Sequence, residues 1–213
     1  MSRFTILLAG AIRPTPALRQ AIAGSRIIAA DGGMTHAENL GLVPELWVGD
    51  FDSAAPALAA RFAAVPRETF PRDKDRTDGE LAIDAALARG AEEILLVGAF
   101  GGPRTDHAFM HLILALRYAA RGVAIALFDG NEHALPLRCG HQRIDMQPGT
   151  DFSLLKFSDL SGLTITGARW PLAAVEIPFE SILTQSNQAL GPIDITLGSG
   201  TAVLLFQAEP TPG

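Results

Sequence analysis

Aspartates stand where apolar runs of this chain stop, and their spacing points to cation and phosphate chemistry. Val48-Gly49-Asp50-Phe51-Asp52-Ser53 is the first group and Asp73-Lys74-Asp75-Arg76-Thr77-Asp78 the second. Gly101-Gly102-Pro103-Arg104-Thr105-Asp106-His107 is the third, and Asp31-Gly32-Gly33 closes an earlier apolar run. Carboxylates brought together repel unless a positive charge stands between them. A hard cation such as Mg²⁺, shared with a polyphosphate, is the usual partner of such loops.

Each segment also has a plainer explanation. In extended chain Asp50 and Asp52 face the same side and reach one cation together. Alone, the pair reads first as a turn in which Ser53 caps the next helix, and the neighbouring acidic loops reverse that preference. Thr77 and Glu80 form a capping box, which accounts for those two residues. It leaves Asp73, Asp75 and Asp78 unexplained, and a helix start there carries positive partial charge and free N–H groups suited to phosphate. The glycines of 98–102 let the backbone approach a phosphate. Arg104 suits bidentate contact with phosphate oxygens, and Asp106 and His107 open the next helix. The segment is neither a Walker A loop nor a dinucleotide fingerprint.

The remaining reactive side chains are read conservatively. His36, His111, His133 and His141 have no metal-ligand spacing with a cysteine and read as polar or capping residues. His107 and His111 share a helix face but lack the glutamate of a zinc-protease motif, so zinc is discounted. Trp170 follows a strand and reads either as core or as a plate for a planar, cationic ring. Ser186-Asn187 reads as a turn that a ligand can use for hydrogen bonds. Cys139 is the single cysteine, which excludes an internal disulfide, fits a reducing cytosol, and reads as a part-buried thiol.

The elements that position these groups fall into two parts. Strands are expected at 4–9, 27–30, 46–48, 94–97 and 123–128, with helices at 16–23, 35–40, 56–64, 77–88 and 106–121. Such alternation predicts a parallel sheet covered by helices, with ligands bound beyond the carboxyl ends of its strands. After Asp129 the pattern changes to short alternating runs at 142–146, 152–157, 163–166, 175–177, 193–197 and 203–206. The fold class is therefore an α/β parallel-sheet domain, 1–132, followed by a smaller all-β sandwich or barrel, 133–213.

Composition narrows the partners. The 213 residues are 48% hydrophobic, enough for a substantial core, and the formal charge is -6. No basic tract or Arg/Lys-aromatic interleaving appears, so nucleic acid is not an expected partner. The apolar stretch after Met1 has neither the length nor the flanks of a signal peptide or spanning helix, and no membrane role is expected. The residues alone leave three readings open. Acidic strand-end loops serve phosphoryl-type transfer between substrates, or water attack in a Mg²⁺-dependent phosphohydrolase. A sensor that binds without turnover is the third, though a pure binder has little use for so many carboxylates.

Taken together and in order, these segments resemble the thiamine pyrophosphokinase family. The resemblance is carried by the four acidic and glycine segments, by Thr166-Gly167-Ala168-Arg169-Trp170 and by Ser186-Asn187. It implies ATP-dependent transfer of a pyrophosphoryl group to the thiamine hydroxyl, giving thiamine diphosphate and AMP in a cytoplasmic homodimer. It implies that Asp50, Asp52, Asp75 and Asp78 hold Mg²⁺ and polyphosphate, with Asp31, Gly32, Gly33, Ser53 and Thr77 close by. Gly101, Gly102, Arg104, Asp106 and His107 would belong to the nucleotide side, and Trp170, Ser186 and Asn187 to thiamine, near the subunit interface. The chain departs from the family pattern at Pro103, which reads as an insertion, at Ala168-Arg169 where Leu-Lys is frequent, and at Gln185.

Overall fold

The computed structural model describes residues 2–51, 55–69, 76–102 and 104–208. Asp52, Ser53, Asp73, Lys74, Asp75 and Pro103 lie outside the described residues.

Apolar runs too short for helices form a parallel sheet. Its strands are β1 (Arg3–Leu7), β2 (Arg26–Ala30), β3 (Leu46–Gly49), β4 (Arg67–Thr69), β5 (Glu93–Val97) and β6 (Ala124–Phe128). They lie in the order β6-β5-β1-β2-β3-β4, and every pairing among them is parallel. Parallel strands need cover on both faces, and the side chains divide accordingly. Leu7, Ile27, Ala29 and Trp47 pack with α1 (Pro16–Ile22) and α2 (Met34–Leu40). Phe4, Ile6, Ile28 and Val48 pack on the other face with α4 (Asp78–Ala88) and α5 (Thr105–Ala120). The short α3 (Pro56–Arg61) lies between β3 and β4 in the chain.

Helix starts are set by local chemistry. Pro16 opens α1, and the Thr15 hydroxyl accepts from Leu18 N at 3.2 Å. At α4 the Thr77 hydroxyl accepts from Glu80 N at 3.2 Å, the first half of the expected capping box. The Glu80 carboxylate turns instead to Arg76 and Arg117, at 3.2 and 2.5 Å.

The sheet continues into the second part of the chain. β7 (Glu132–Pro136) pairs antiparallel with β6, and β13 (Ala202–Gln207), β9 (Asp151–Lys156) and β12 (Asn187–Leu197) follow outward. β12 also carries β8 (Gly140–Ile144) and β10 (Leu160–Ala168), with β11 (Leu172–Ile177) on the far edge. Leu163, Ile165, Ile193, Ile195 and Leu197 form a separate core there. β13 serves both parts, since Val203 joins the helix-covered core while Ala202 and Leu204 join the β core.

Three local expectations change. β4 and β7 are strands that no apolar alternation announced. β12 is longer than 193–197 and runs through Gly191-Pro192, because a register shift in its pairing with β10 absorbs them. Cys139 is exposed rather than part-buried, since it lies in the turn before β8. No helix among the described residues is long and apolar enough to cross a membrane.

Candidate active site

The central feature is a crevice beyond the carboxyl ends of the parallel strands. The extensions of β1 and β5 remain bonded, Leu8 N to Val97 O at 2.7 Å and Gly10 N to Gly98 O at 2.8 Å. Their chains then part, one to α1 on one face and the other to α5 on the opposite face. Such a divergence point is where open α/β sheets bind ligands. The Gly10–Gly98 crossing tolerates no side chain, for a methyl group on either glycine would collide with backbone of the other loop. His36 braces the same loop, its Nε2 2.7 Å from Gly10 O.

A cleft of about 610 Å³ opens there, and it gathers most of the described candidates. Asp31 comes from the end of β2, Asp50 from the end of β3, and Thr77 and Asp78 from the start of α4. Gly101, Arg104, Asp106 and His107 line it from the turn after β5 and the start of α5. Asp31 adopts φ 45°, which Asp tolerates better than most residues, and its carbonyl accepts from Trp47 Nε1 at 3.0 Å. Phe51 has φ 61°, so the chain between Asp50 and Asp52 is not extended and the same-face argument does not apply there.

Arg104 is exposed at the cleft but already paired. Its Nε and Nη2 donate to the two carboxylate oxygens of Asp106, which this pairing holds well below the usual carboxylate range. Gly32, Gly33 and Gly102 do not line the cleft. Gly33 is explained by packing, because a methyl group there would collide with the Leu7 carbonyl.

Trp170, Ser186 and Asn187 form a second group outside this cleft. The Trp170 side of the β domain is 54% exposed at that ring, and the Arg169 guanidinium lies 5.0 Å from its centroid. Asn187 brackets the Trp170 backbone, accepting from Trp170 N at 3.2 Å and donating to Trp170 O at 2.7 Å. Ser186 adopts φ 58° and its amide donates to Ser153 Oγ at 2.9 Å.

Two family profiles match the chain. A family profile described as "Thiamin pyrophosphokinase, catalytic domain" matches residues 19–127, and one described as "Thiamin pyrophosphokinase, vitamin B1 binding domain" matches 141–201. The thiamine pyrophosphokinase of Bacillus subtilis is 30% identical over 167 residues, 76% of this chain and 78% of that protein. The chain belongs to the thiamine pyrophosphokinase family. The crystal structure of the Geobacillus thermodenitrificans thiamin pyrophosphokinase superposes with a TM-score of 0.82 at 26% identity, covering 99% of each chain. That of the Candida albicans thiamin pyrophosphokinase shares the fold, with a TM-score of 0.80 at 15% identity over 98% of this chain and 89% of the other.

As a thiamine pyrophosphokinase family member the protein is a transferase of thiamine diphosphate formation. Within that frame, the residues that sequence reasoning passed over are Leu8, Gly10, Gly79 and His111, all of which line the cleft. Leu8 and Gly10 follow β1 and were findable by the strand-end rule, but carry no charge to draw notice. Spacing alone presents His111 as an ordinary polar residue. Its partners Ala99, Leu8 and Gly79 lie far from it in the chain.

The cleft also offers oxygen donors to a cation. Among the described residues no three acidic, histidine or cysteine side chains stand close enough to hold a metal. Mg²⁺ needs fewer protein ligands, since it keeps waters and takes one or two carboxylates beside substrate phosphates. Asp50 and Asp78 in one cleft, both hard oxygen donors, fit that requirement.

Proposed function

We propose that the protein transfers the pyrophosphoryl group of ATP to the hydroxyl of thiamine, releasing AMP and thiamine diphosphate. The observation that carries this reading is the cleft itself. It sets Asp31, Asp50 and Asp78 in one crevice with Gly101 and Arg104, at the carboxyl ends of β2, β3 and β5. Acids beside glycine backbone and a guanidinium suit a polyphosphate with its cation. Residues 1–132 form the nucleotide- and metal-binding part in this reading, and 133–213 the thiamine-binding part.

The thiamine hydroxyl oxygen attacks the β-phosphorus, its bond to the bridging oxygen of the α-phosphate breaks, and AMP departs with that oxygen. The hydroxyl proton passes to a carboxylate of the cleft or to water in the same exchange. Such a reaction needs in-line positioning and neutralised oxygen charge more than a strong base. Asp50, Asp52, Asp75 and Asp78 would hold Mg²⁺, which when bound neutralises phosphate charge. Gly101 lets backbone approach the phosphates, while Arg104 exchanges Asp106 for phosphate oxygens. The amino termini of α4 and α5 add positive partial charge.

Trp170 is the plate on which thiamine stacks, with Ser186 and Asn187 at its edge. These three residues lie outside the acidic cleft of their own chain. We therefore read the working unit as a homodimer, each thiamine held between one protomer's cleft and its partner's Trp170 side. ATP as substrate and the exposed thiol of Cys139 accord with the cytoplasm. The test is substitution of the acids. Asp52→Asn and Asp78→Asn each lower kcat for AMP formation by at least about 100-fold, the scale of one lost electrostatic stabiliser. Near-normal AMP formation by either purified variant overturns the reading.

A further inference from the structure

His111 lies one helical turn beyond His107 on α5 and has no role in the chemistry above. Its Nδ1 is 2.6 Å from the carbonyl oxygen of Ala99. A carbonyl only accepts, so Nδ1 carries the hydrogen and donates it. Burial lowers the imidazole's pKa below its ordinary value, against the hydrogen bond to Ala99, which raises it. The ring is neutral, and Nε2 bears a lone pair. Nε2 makes no hydrogen bond among the described residues, yet it is not, like His36 Nδ1, a buried atom left unpaired, so it stays open to solvent. His111 lines the cleft together with Gly79, whose position lies beside Nε2.

Leu8 and Gly79 stand beside that lone pair. A methyl group on Gly79 would stand 3.6 Å from His111 Nε2 and 3.1 Å from Leu8 Cδ2, so both side chains flank the same glycine. Ala99, Ala108 and Leu114 line the cleft beside them. Apolar walls with one fixed acceptor suit a flat heteroaromatic ring that bears an N–H donor. Two rings of the proposed reaction carry an exocyclic amine, the adenine of ATP and the aminopyrimidine of thiamine. The acids and Arg104 that suit a triphosphate share this cleft with His111, whereas Trp170 lies outside it. The ring beside His111 is therefore the nucleotide's.

We propose that His111 Nε2 accepts a hydrogen bond from the exocyclic amine of the nucleotide base, and so selects an adenine nucleotide. This rests on the ATP-dependent reading above. The test is binding of AMP and of purine riboside monophosphate, which lacks the amine, measured by calorimetry on the intact protein. Wild type binds AMP about ten-fold more tightly, the scale of one net hydrogen bond. His111→Phe binds both equally, and His111→Gln, whose carbonyl oxygen still accepts, keeps part of the preference. A parallel arm compares thiamine with an analogue lacking the pyrimidine amine, and His111→Phe leaves that ratio unchanged.

Equal binding of the two nucleotides by wild type overturns the proposal without need of any variant, as does failure to bind AMP. So does a preference that survives in His111→Phe, or a change in the thiamine ratio in place of the nucleotide ratio. AMP binding with this preference but without thiamine-dependent turnover would sink the reaction reading and leave the base-recognition site standing.

Discussion

Arg104 and Asp106 grip each other through two parallel hydrogen bonds, Nε to Oδ1 at 2.9 Å and Nη2 to Oδ2 at 2.7 Å. Both side chains are more than half exposed, at 61% and 62%. Exposed ion pairs contribute little to stability because water screens them and ordering the chains costs entropy. The pair therefore keeps Arg104 at the cleft mouth, ready to exchange one set of anionic oxygens for another. Arg104→Ala is expected to leave the urea midpoint unchanged while lowering kcat/KM for ATP by about 100-fold. A shifted midpoint with intact turnover would contradict this role.

The crossing of the β1 and β5 loops constrains Gly98 in a way that an open turn such as that of Gly122 does not. Gly98 has φ 74°, and a methyl group there would meet the Leu8 carbonyl, so both conformation and space demand glycine. Gly122 has φ 89°, yet nothing stands within 4 Å of the added group. Gly122→Ala should cost about 1 to 2 kcal/mol from backbone strain alone. Gly98→Ala adds an overpacking cost of about 1 to 3 kcal/mol and distorts the crevice, so turnover falls with stability. Urea titrations of both variants, run with the AMP assay, measure the difference.

His133 sets an acid limit on the join between the two parts. Its ring lies between Phe128 and Phe206, with centroids 3.8 and 4.7 Å away and interplanar angles of 2° and 12°. Burial in this stack pushes its pKa from 6.5 down to about 4, against a small opposing effect of Asp129. Between those values the unfolded chain binds a proton that the folded one does not. Stability is flat on this account above about pH 6.5 and falls as pH drops toward about 4. Glu132, whose carboxyl is pushed up by burial, works in the opposite sense. Comparison of wild type with His133→Phe isolates the histidine, and the variant should lose less thermal stability between pH 7 and 5.

The separation of Trp170 from the acidic cleft predicts shared sites. Asn187→Ala removes both hydrogen bonds to the Trp170 backbone and should raise KM for thiamine more than KM for ATP. Asp78→Asn and Trp170→Ala should each be weakly active alone. Random mixing makes half of the dimers mixed, each with one intact site, so about a quarter of wild-type activity should return. No recovery after subunit exchange would place each site within one chain.

Much of this arrangement is legible in the sequence, for reasons that also explain the gaps. β2 and β3 were visible because Ile27-Ile28-Ala29-Ala30 and Leu46-Trp47-Val48 end abruptly at Asp31 and Gly49-Asp50, where chain direction changes. β4 is Arg67-Glu68-Thr69, a three-residue polar edge strand with no alternation to betray it. Gly191-Pro192 reads as a break, yet β12 passes through it because the sheet there is irregular. The bond from Arg104 to Asp106 depends on Arg104 standing outside the helix at φ -110° and ψ 80°, which spacing does not reveal. His111 gains its meaning from Ala99, Leu8 and Gly79, on three other elements. Contacts of that kind are set by packing rather than by local pattern.

The central claim is most directly tested by following AMP from purified protein given ATP and Mg²⁺, with and without thiamine. The account predicts AMP and thiamine diphosphate in equal amounts, and none of either when thiamine is left out. Phosphate release without thiamine, or thiamine bound with no AMP formed, would contradict it.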